Sequence, residues 1–293
     1  MTAPMTLRAR VAAPGKDVRG ALTERGPLEV WLAERAAVDL PERYEFWGRY
    51  VPEGDRPRQR LTHVDDTSLG FVWTLDGEDT TVEFGVHDQG DGTSLVSLTQ
   101  TNLPNVMESI TGTGSRHLMN TFWSLSLANL VDHLEGREIT TRVDFTSPDL
   151  REELIIDASR HEVFESLVDS TRFRRWFGAN VEIERHVGGR FAMGGFEEDL
   201  DPARFLELEP DRKASLKWPD GTVAAWELED SDGGTRLTFV QSGFGDPDYG
   251  SWLGWMSGFA ELRRFHELKD WRPIWVEISI EGMPEGMLYT EGQ

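Results

Sequence analysis

The 293-residue sequence carries few of the residue groupings that are typical of catalysis or metal binding. It has no cysteine, which excludes thiolate nucleophiles, disulfides and cysteine-based zinc sites. Its 7 histidines show no metal-ligand spacing, and no serine lies in a GxSxG elbow. The pairs Gly188-Gly189 and Gly233-Gly234 lack the P-loop pattern and predict hairpin turns. We therefore expect no metal, no cofactor and no catalytic residues.

The aromatic and methionine side chains of the second half form a larger candidate set. Pockets for small molecules are mainly apolar and carry a few polar anchors. The predicted ligand-binding residues are Trp176, Phe191, Met193, Trp218, Trp226, Phe239, Gln241, Trp255, Met256 and Phe259. Two interpretations remain open, because the same side chains would serve as ordinary core packing or as the wall of an apolar cavity that tryptophans partly fill.

The elements that would position this set follow from the stretch between Gly233 and His266. A Gly-Gly turn precedes an alternating strand with Leu237, Phe239 and Gln241. After a loop, apolar residues recur at spacings of three and four, which predicts an amphipathic helix over 251–268. A helix that closes over a curved sheet is the expected arrangement.

The sequence contains an internal repeat of this unit. Asp91-Gly-Thr-Ser-Leu resembles Gly233-Gly-Thr-Arg-Leu, and Trp31-Leu32 pairs with Trp176-Phe177. Each copy has the pattern of a strand, two short helices, several strands and a long helix, without a crossover helix between the strands. This order predicts an antiparallel meander. Ser147-Pro-Asp interrupts the pattern, so the predicted domains are residues 1–147 and 148–293.

The segments after the two long helices alternate apolar and polar residues. They predict an added strand at 139–145 in the first copy and at 274–280 in the second. Ser159 is a predicted helix N-cap, and Gly178 a predicted helix end.

Composition narrows the class of partner. A net charge of −22 and a pI near 4.7 argue against a nucleic acid, because the summed field repels phosphates. The first ten residues lack the apolar core of a signal peptide, and no apolar run approaches the ~20 residues that span a bilayer. A cytoplasmic protein without a membrane span is expected.

A set of short motifs in the second copy resembles a known superfamily. The motifs are Arg172-Phe-Arg-Arg-Trp-Phe, Val187-Gly-Gly-Arg-Phe, Trp218-Pro-Asp-Gly, Gly234-Thr-Arg-Leu-Thr-Phe-Val-Gln-Ser-Gly-Phe and Gly254-Trp-Met-Ser-Gly-Phe-Ala-Glu-Leu. Together they resemble the START and birch-pollen-allergen (SRPBCC) superfamily, and more closely the bacterial proteins related to the C-terminal domain of the heat-shock-protein-90 ATPase activator. The similarity covers about Glu153 to Leu268, and the first copy shares it weakly through Tyr44-Glu-Phe-Trp-Gly.

The resemblance implies an α+β fold of two tandem helix-grip domains, each with a curved antiparallel sheet, two short helices and a long C-terminal helix. It also implies a hydrophobic cavity between sheet and helix. The leading hypothesis is a non-catalytic protein that binds a small hydrophobic molecule or lipid in the second copy, with the first copy mainly structural. The alternatives are a cyclase- or aromatase-like enzyme using the same cavity, and a chaperone-linked or self-associating interaction module. The sequence does not identify the ligand.

Overall fold

The computed structural model describes residues 3–243 and 246–283, and its class is α+β. Two similar units follow one another, each with an antiparallel sheet and a long final helix. We refer to residues 5–134 as the first copy and to residues 151–267 as the second copy. Phe244 and Gly245, in the loop predicted before the last helix, lie outside the described residues.

The first copy contains seven strands and four helices in its described residues. Its strands are β1 (Met5–Val11), β2 (Arg35–Asp39), β3 (Arg43–Trp47), β4 (Gln59–Val64), β5 (Ser68–Leu75), β6 (Glu78–Asp88) and β7 (Ser94–Gln100). Its helices are α1 (Gly15–Thr23), α2 (Arg25–Trp31), α3 (Val106–Thr111) and α4 (Met119–Leu134). A short 3-10 turn over Ser115–Leu118 leads into α4, and the sequence did not indicate β2 or α3.

The second copy repeats this order among its described residues, except that no helix corresponds to α3, and one more strand follows it. Its strands are β8 (Arg151–Ile156), β9 (Val181–Ile183), β10 (Arg190–Met193), β11 (Ala203–Glu209), β12 (Lys213–Lys217), β13 (Val223–Ser231) and β14 (Gly234–Ser242). Its helices are α5 (Arg160–Val168), α6 (Ser170–Phe177) and α7 (Tyr249–Glu267), and β15 (Trp275–Ser279) comes last.

Local signals explain where the short helices of the second copy begin and end. Ser159 Oγ accepts a hydrogen bond from the Glu162 backbone N–H at 3.3 Å, and the Glu162 carboxylate accepts one from the Ser159 N–H at 3.2 Å. This capping box satisfies amides at the start of α5. Gly178 has a φ of 71° and ends α6 in the left-handed region that favours glycine.

Two pairs of equivalent hydrogen bonds support the internal repeat. The indole of Trp31 donates to the Ala21 carbonyl at 2.9 Å, and the indole of Trp176 donates to the Ser166 carbonyl at 2.8 Å. In both cases the last turn of the second short helix is tied to the first short helix. Similarly, Ser94 Oγ donates to Ala13 O at 2.8 Å, and Thr235 Oγ1 donates to Ala158 O at 2.7 Å.

The strand orders show the two meanders. In the first sheet the order is β15-β1-β7-β6-β5-β4, and in the second it is β8-β14-β13-β12-β11-β10-β9. A two-stranded sheet of β2 and β3 accompanies the first. The strand β15 follows the second copy in sequence but pairs antiparallel with β1 of the first copy. After the second copy, the chain therefore returns to the sheet of the first copy.

The strand predicted at 139–145 is wrong, because this segment has no strand structure. The Asn129 side chain takes up both backbone groups of Thr140, accepting from its N–H and donating to its carbonyl at 2.9 Å each. Farther along, the Phe145 N–H donates to the Arg49 carbonyl at 2.8 Å. Since these groups are already paired, the segment lies beside the second copy without forming a ladder with β8.

The two long helices α4 and α7 pack against each other and join the copies. Arg264 Nη1 lies 2.6 Å from Asp132 Oδ1, and both residues are almost fully buried, at 5% and 1% exposure. Arg137 adds a second contact to Asp132 at 3.0 Å. At the start of α7, the Tyr249 hydroxyl donates to the Ser147 carbonyl at 2.8 Å.

Candidate functional site

The predicted aromatic set lies together between the sheet and α7 of the second copy. The Phe239 ring on β14 has its centroid 5.5 Å from that of Trp255 and 5.0 Å from that of Phe259. Trp226 meets Trp255 at 5.1 Å. These three contacts have the edge-on or tilted geometry that aromatic pairs favour, so this part of the interior is filled with packed rings.

The other predicted residues differ in burial and position. Trp176 and Phe191 are 1% exposed, and both belong to the aromatic cluster through Phe173, at 4.6 and 5.3 Å. Met193 and Trp218 are half-buried at the margin of the same core. Met256 faces a different space, which is described below.

Gln241 differs sharply from its counterpart in the first copy. The Gln100 side chain accepts a hydrogen bond from the Trp123 indole at 2.7 Å and donates to Thr80 Oγ1 at 2.9 Å. Gln241 Oε1 and the neighbouring Trp226 Nε1 are buried without a hydrogen-bond partner in the structure. An unpaired buried polar group costs about 1–3 kcal/mol, so these atoms mark a polar position inside an apolar region.

A cleft of about 310 Å³ opens at the edge of the second copy. It lies between β8 and α7, and its outer wall comes from Tyr50 and the segment that joins the copies. The lining residues are Tyr50, Thr141, Arg142, Val143, Asp144, Ser147, Asp149, Leu150, Arg151, Glu152, Trp252 and Met256. Trp252, Met256, Leu150 and Val143 are at most 5% exposed and form an apolar floor.

The cleft exists because the two copies are completed differently. In the first copy, β15 covers the outer edge of β1. The equivalent edge in the second copy belongs to β8, and it faces the strandless segment 139–145. A missing strand at this position leaves open space beside α7.

Glu152 is the unexpected residue on this edge. It lies directly opposite Phe239, whereas Leu7 occupies the equivalent place opposite Leu98 in the first copy. Leu7 is fully buried, while Glu152 is half-buried and lines the cleft. Burial raises the pKa of Glu152, and a hydrogen bond donated by Thr141 Oγ1 at 2.9 Å acts in the opposite direction.

Arg142 is a second charged group of the cleft, and it is held by other partners. Its Nη1 donates to the Glu29 and Ala33 carbonyls at 2.9 and 2.7 Å. The guanidinium carbon lies 4.1 Å from the centroid of the Tyr50 ring, which is a cation–π contact. Burial lowers the pKa of Arg142, but the group remains a cation near neutral pH.

Sequence reasoning found Met256 but missed the rest of the cleft. A usable signal was present in the repeat. The inward positions of the first strand read Met5, Leu7, Ala9 and Val11 in the first copy, whereas a glutamate interrupts the corresponding run of the second copy.

Two further observations concern other classes of site. Within residues 3–243 and 246–283, no group of three or more His, Asp or Glu residues is arranged to hold a metal ion. No described helix is both long and apolar enough to cross a membrane.

Comparison with protein families supports the resemblance inferred from the motifs. Residues 157–264 match the model of the family described as "Activator of Hsp90 ATPase homolog 1-like protein". The match falls within the second copy. No curated protein matches the sequence.

Several solved structures are similar to this chain. One is MLL2253 from Mesorhizobium loti, with 23% identity over 42% of this chain and 99% of that protein, at a TM-score of 0.36. The Aha1 dimer from Colwellia psychrerythraea shows 16% identity over 42% of this chain and 98% of that protein, at a TM-score of 0.37. DynU16, from the dynemicin biosynthetic locus, shows 16% identity over 88% of this chain and 94% of that protein, at a TM-score of 0.38.

Proposed function

We propose that the protein binds a small, mainly apolar molecule without transforming it, between the sheet and the final helix of the second copy. The observation that carries this proposal is the cleft of about 310 Å³ between β8 and α7. Its volume lies at the lower end of the ~300–1,000 Å³ range of small-molecule pockets. Its floor is apolar, and a few polar groups surround it, which suits a ligand with a compact hydrophobic body.

The aromatic cluster supports this site from behind. Trp252 forms part of the cleft floor and stacks on Phe239 with ring centroids 5.2 Å apart and planes 17° from parallel. Phe239 in turn contacts Trp255 and Phe259. Because these rings hold one another in place, the floor is rigid and needs little reordering when a ligand binds.

The alternative of an interaction module rests on the duplication and on tail strands whose edges can pair with a partner or with the other copy. The described tail strand β15 is paired with β1 inside the same chain, so its hydrogen-bonding edge on that side is already used.

A bulky residue at the cleft mouth tests the proposal. The neutral fluorescent probe N-phenyl-1-naphthylamine is expected to bind the wild-type chain saturably. Asp149→Trp should weaken this binding at least about tenfold, which is a loss of about 1.4 kcal/mol, because Asp149 is exposed and lines the cleft. Glu153→Trp is the matched control, since Glu153 lies on the outward face of β8 and is exposed. Equal affinity in the Asp149→Trp variant and the wild type would refute the site.

A further inference from the structure

Glu152 stands out among the cleft residues because no described cation pairs with it. Its carboxylate accepts a hydrogen bond from the Thr141 hydroxyl, and the Glu153 backbone N–H also favours its charged form. It belongs to none of the ion pairs among the described residues. A half-buried carboxylate is costly to keep without a counter-charge, because the desolvated anion loses water without gaining a partner. The first copy avoids this cost by carrying Leu7 at the same place.

The two cations that line the cleft are committed elsewhere. Arg142 directs Nη1 to two backbone carbonyls and its face to Tyr50. Arg151 pairs with Glu153 on the outer face of β8, with 2.7 Å between Nη2 and Oε1. Neither guanidinium neutralises Glu152.

The remaining charge in the cleft is negative. Asp144 and Asp149 line it together with Glu152. Asp144 is satisfied by Thr146 in a local turn, and its ion pair with Arg49 is long, at 3.8 Å. The apolar floor and the excess of carboxylates together define a surface that is complementary to a cation with a hydrophobic body.

We infer that the cleft selects a small apolar molecule that carries a protonated amine, and that the Glu152 carboxylate is its counter-ion. The amine would lie at the β8 edge, where it supplies the charge and the donors that Glu152 lacks. The hydrophobic body would lie on Trp252 and Met256. This inference rests on the proposed function and names the ligand class for the same site.

Three probes of matched shape test the ligand class by isothermal titration calorimetry of the full chain. They are 2-phenylethylamine, 2-phenylethanol and 3-phenylpropanoate. The wild type should bind the amine about tenfold more tightly than the alcohol, and the acid most weakly. Glu152→Gln should reduce the amine to the affinity of the alcohol and leave the alcohol unchanged.

Two further variants keep the test independent of folding. Glu152→Leu places at this position the residue type that the first copy carries there, so the fold should tolerate it, and it should also lose the amine preference. Asp157→Asn, at an exposed position outside the cleft, leaves the Arg151–Glu153 ion pair intact and should keep that preference. Equal binding of amine and alcohol by the wild type, or a preference that survives Glu152→Gln, would overturn the ligand class while leaving the site intact. If the neutral naphthyl probe and all three ligands fail to bind, the proposed function itself is wrong.

Discussion

Glu261 shows how a single buried side chain directs the end of the chain. It is 4% exposed in the middle of α7 and accepts hydrogen bonds from the Ile274 N–H at 3.2 Å and the Trp271 indole at 3.3 Å. Asn129 performs a similar task on α4, where it holds Thr140 without a charge. Burial raises the pKa of Glu261 to about 7, and the nearby Arg264 offsets this only in part.

The pKa of Glu261 predicts a loss of stability as the pH rises. The unfolded carboxyl titrates near 4.5 and the folded one near 7, so the folded chain binds the proton more tightly. The proton bound by Glu261 stabilises the folded state by roughly 3 kcal/mol below about pH 4.5. This stabilisation is lost as the pH rises from about 4.5 to about 7. We expect Glu261→Gln to remove this part of the pH dependence in urea unfolding at pH 5 and pH 8.

The comparison with the wild type measures the effect of the Glu261 charge. The pKa of Asp132 is also raised by burial, and the Asp132 charge helps to raise the pKa of Glu261, so the difference includes the interaction between these two carboxyls. Glu153→Gln, at an exposed position, should keep the wild-type dependence. An unchanged slope in Glu261→Gln would show that the carboxyl is not titrating in this range.

At the scale of elements, two glycines of α7 predict opposite effects of the same substitution. A methyl group on Gly258 would lie 2.9 Å from the Phe177 ring and 3.2 Å from the Trp176 ring, both on α6. A methyl group on Gly254 would lie 3.6 Å from Thr121, which is an ordinary contact. Gly258→Ala should therefore lower the free energy of unfolding by about 1–3 kcal/mol. Gly254→Ala should raise it by up to about 1 kcal/mol, because alanine is the better helix former. Thermal and urea unfolding measure both, and a stabilised Gly258→Ala would contradict the close packing of α6 on α7.

Most elements could be predicted because their signals are local. Alternation and turn glycines mark strands such as β5 and β14, and the capping box marks α5. The strand β2 was missed because its five residues do not alternate between apolar and polar types. In the structure only one of them is buried, and the others are half-buried or exposed.

The two tails show where local pattern fails. Segments 139–145 and 274–280 alternate alike, yet only the second contains a strand. The difference depends on tertiary contacts. Asn129 takes both backbone groups of Thr140, whereas the Ile274 carbonyl remains available and accepts from the Arg10 N–H at 2.8 Å. The cleft could not be predicted because it results from the strand that does not form.

At the scale of the whole molecule, the interface between α4 of the first copy and α7 of the second copy is asymmetric in charge. Trp123 on α4 contacts the Phe84 ring on β6, and Trp255 on α7 contacts the Trp226 ring on β13. The two contacts are equivalent, because β6 and β13 each come second to last among the strands of their copies. Asp132 follows Trp123 by nine residues (132 − 123), and Arg264 follows Trp255 by nine (264 − 255). Equivalent positions of the two copies therefore form the buried ion pair. Two identical copies would place like charges there, so each copy has become specific for the other.

This asymmetry predicts that the two parts of the chain on either side of the predicted boundary at residues 147 and 148 depend on each other. Alone, residues 148–293 would expose the face of α7 that packs on α4 and would leave β15 without β1. We expect residues 1–147 and 148–293, produced as separate chains, to be individually unstable and to form a stable 1:1 complex when co-expressed. Co-purification and light scattering measure the complex.

The strand β15 should be necessary for that complex. Glu277 and Ser279 lie opposite Arg8 and Thr6, which face β15 in the same way as Arg10, so proline at both positions removes backbone N–H donors that face β1. The double variant Glu277→Pro/Ser279→Pro should weaken the association of the two chains at least about tenfold, a loss of about 1.4 kcal/mol. The matched control Glu277→Ala/Ser279→Ala keeps every N–H donor and loses only the side chains of one half-buried and one exposed residue, so it should retain most of the affinity. If residues 148–293 prove as stable alone as in the full chain, or if the proline variant associates as tightly as the alanine control, the copies are independent domains and the crossing strand does not join them.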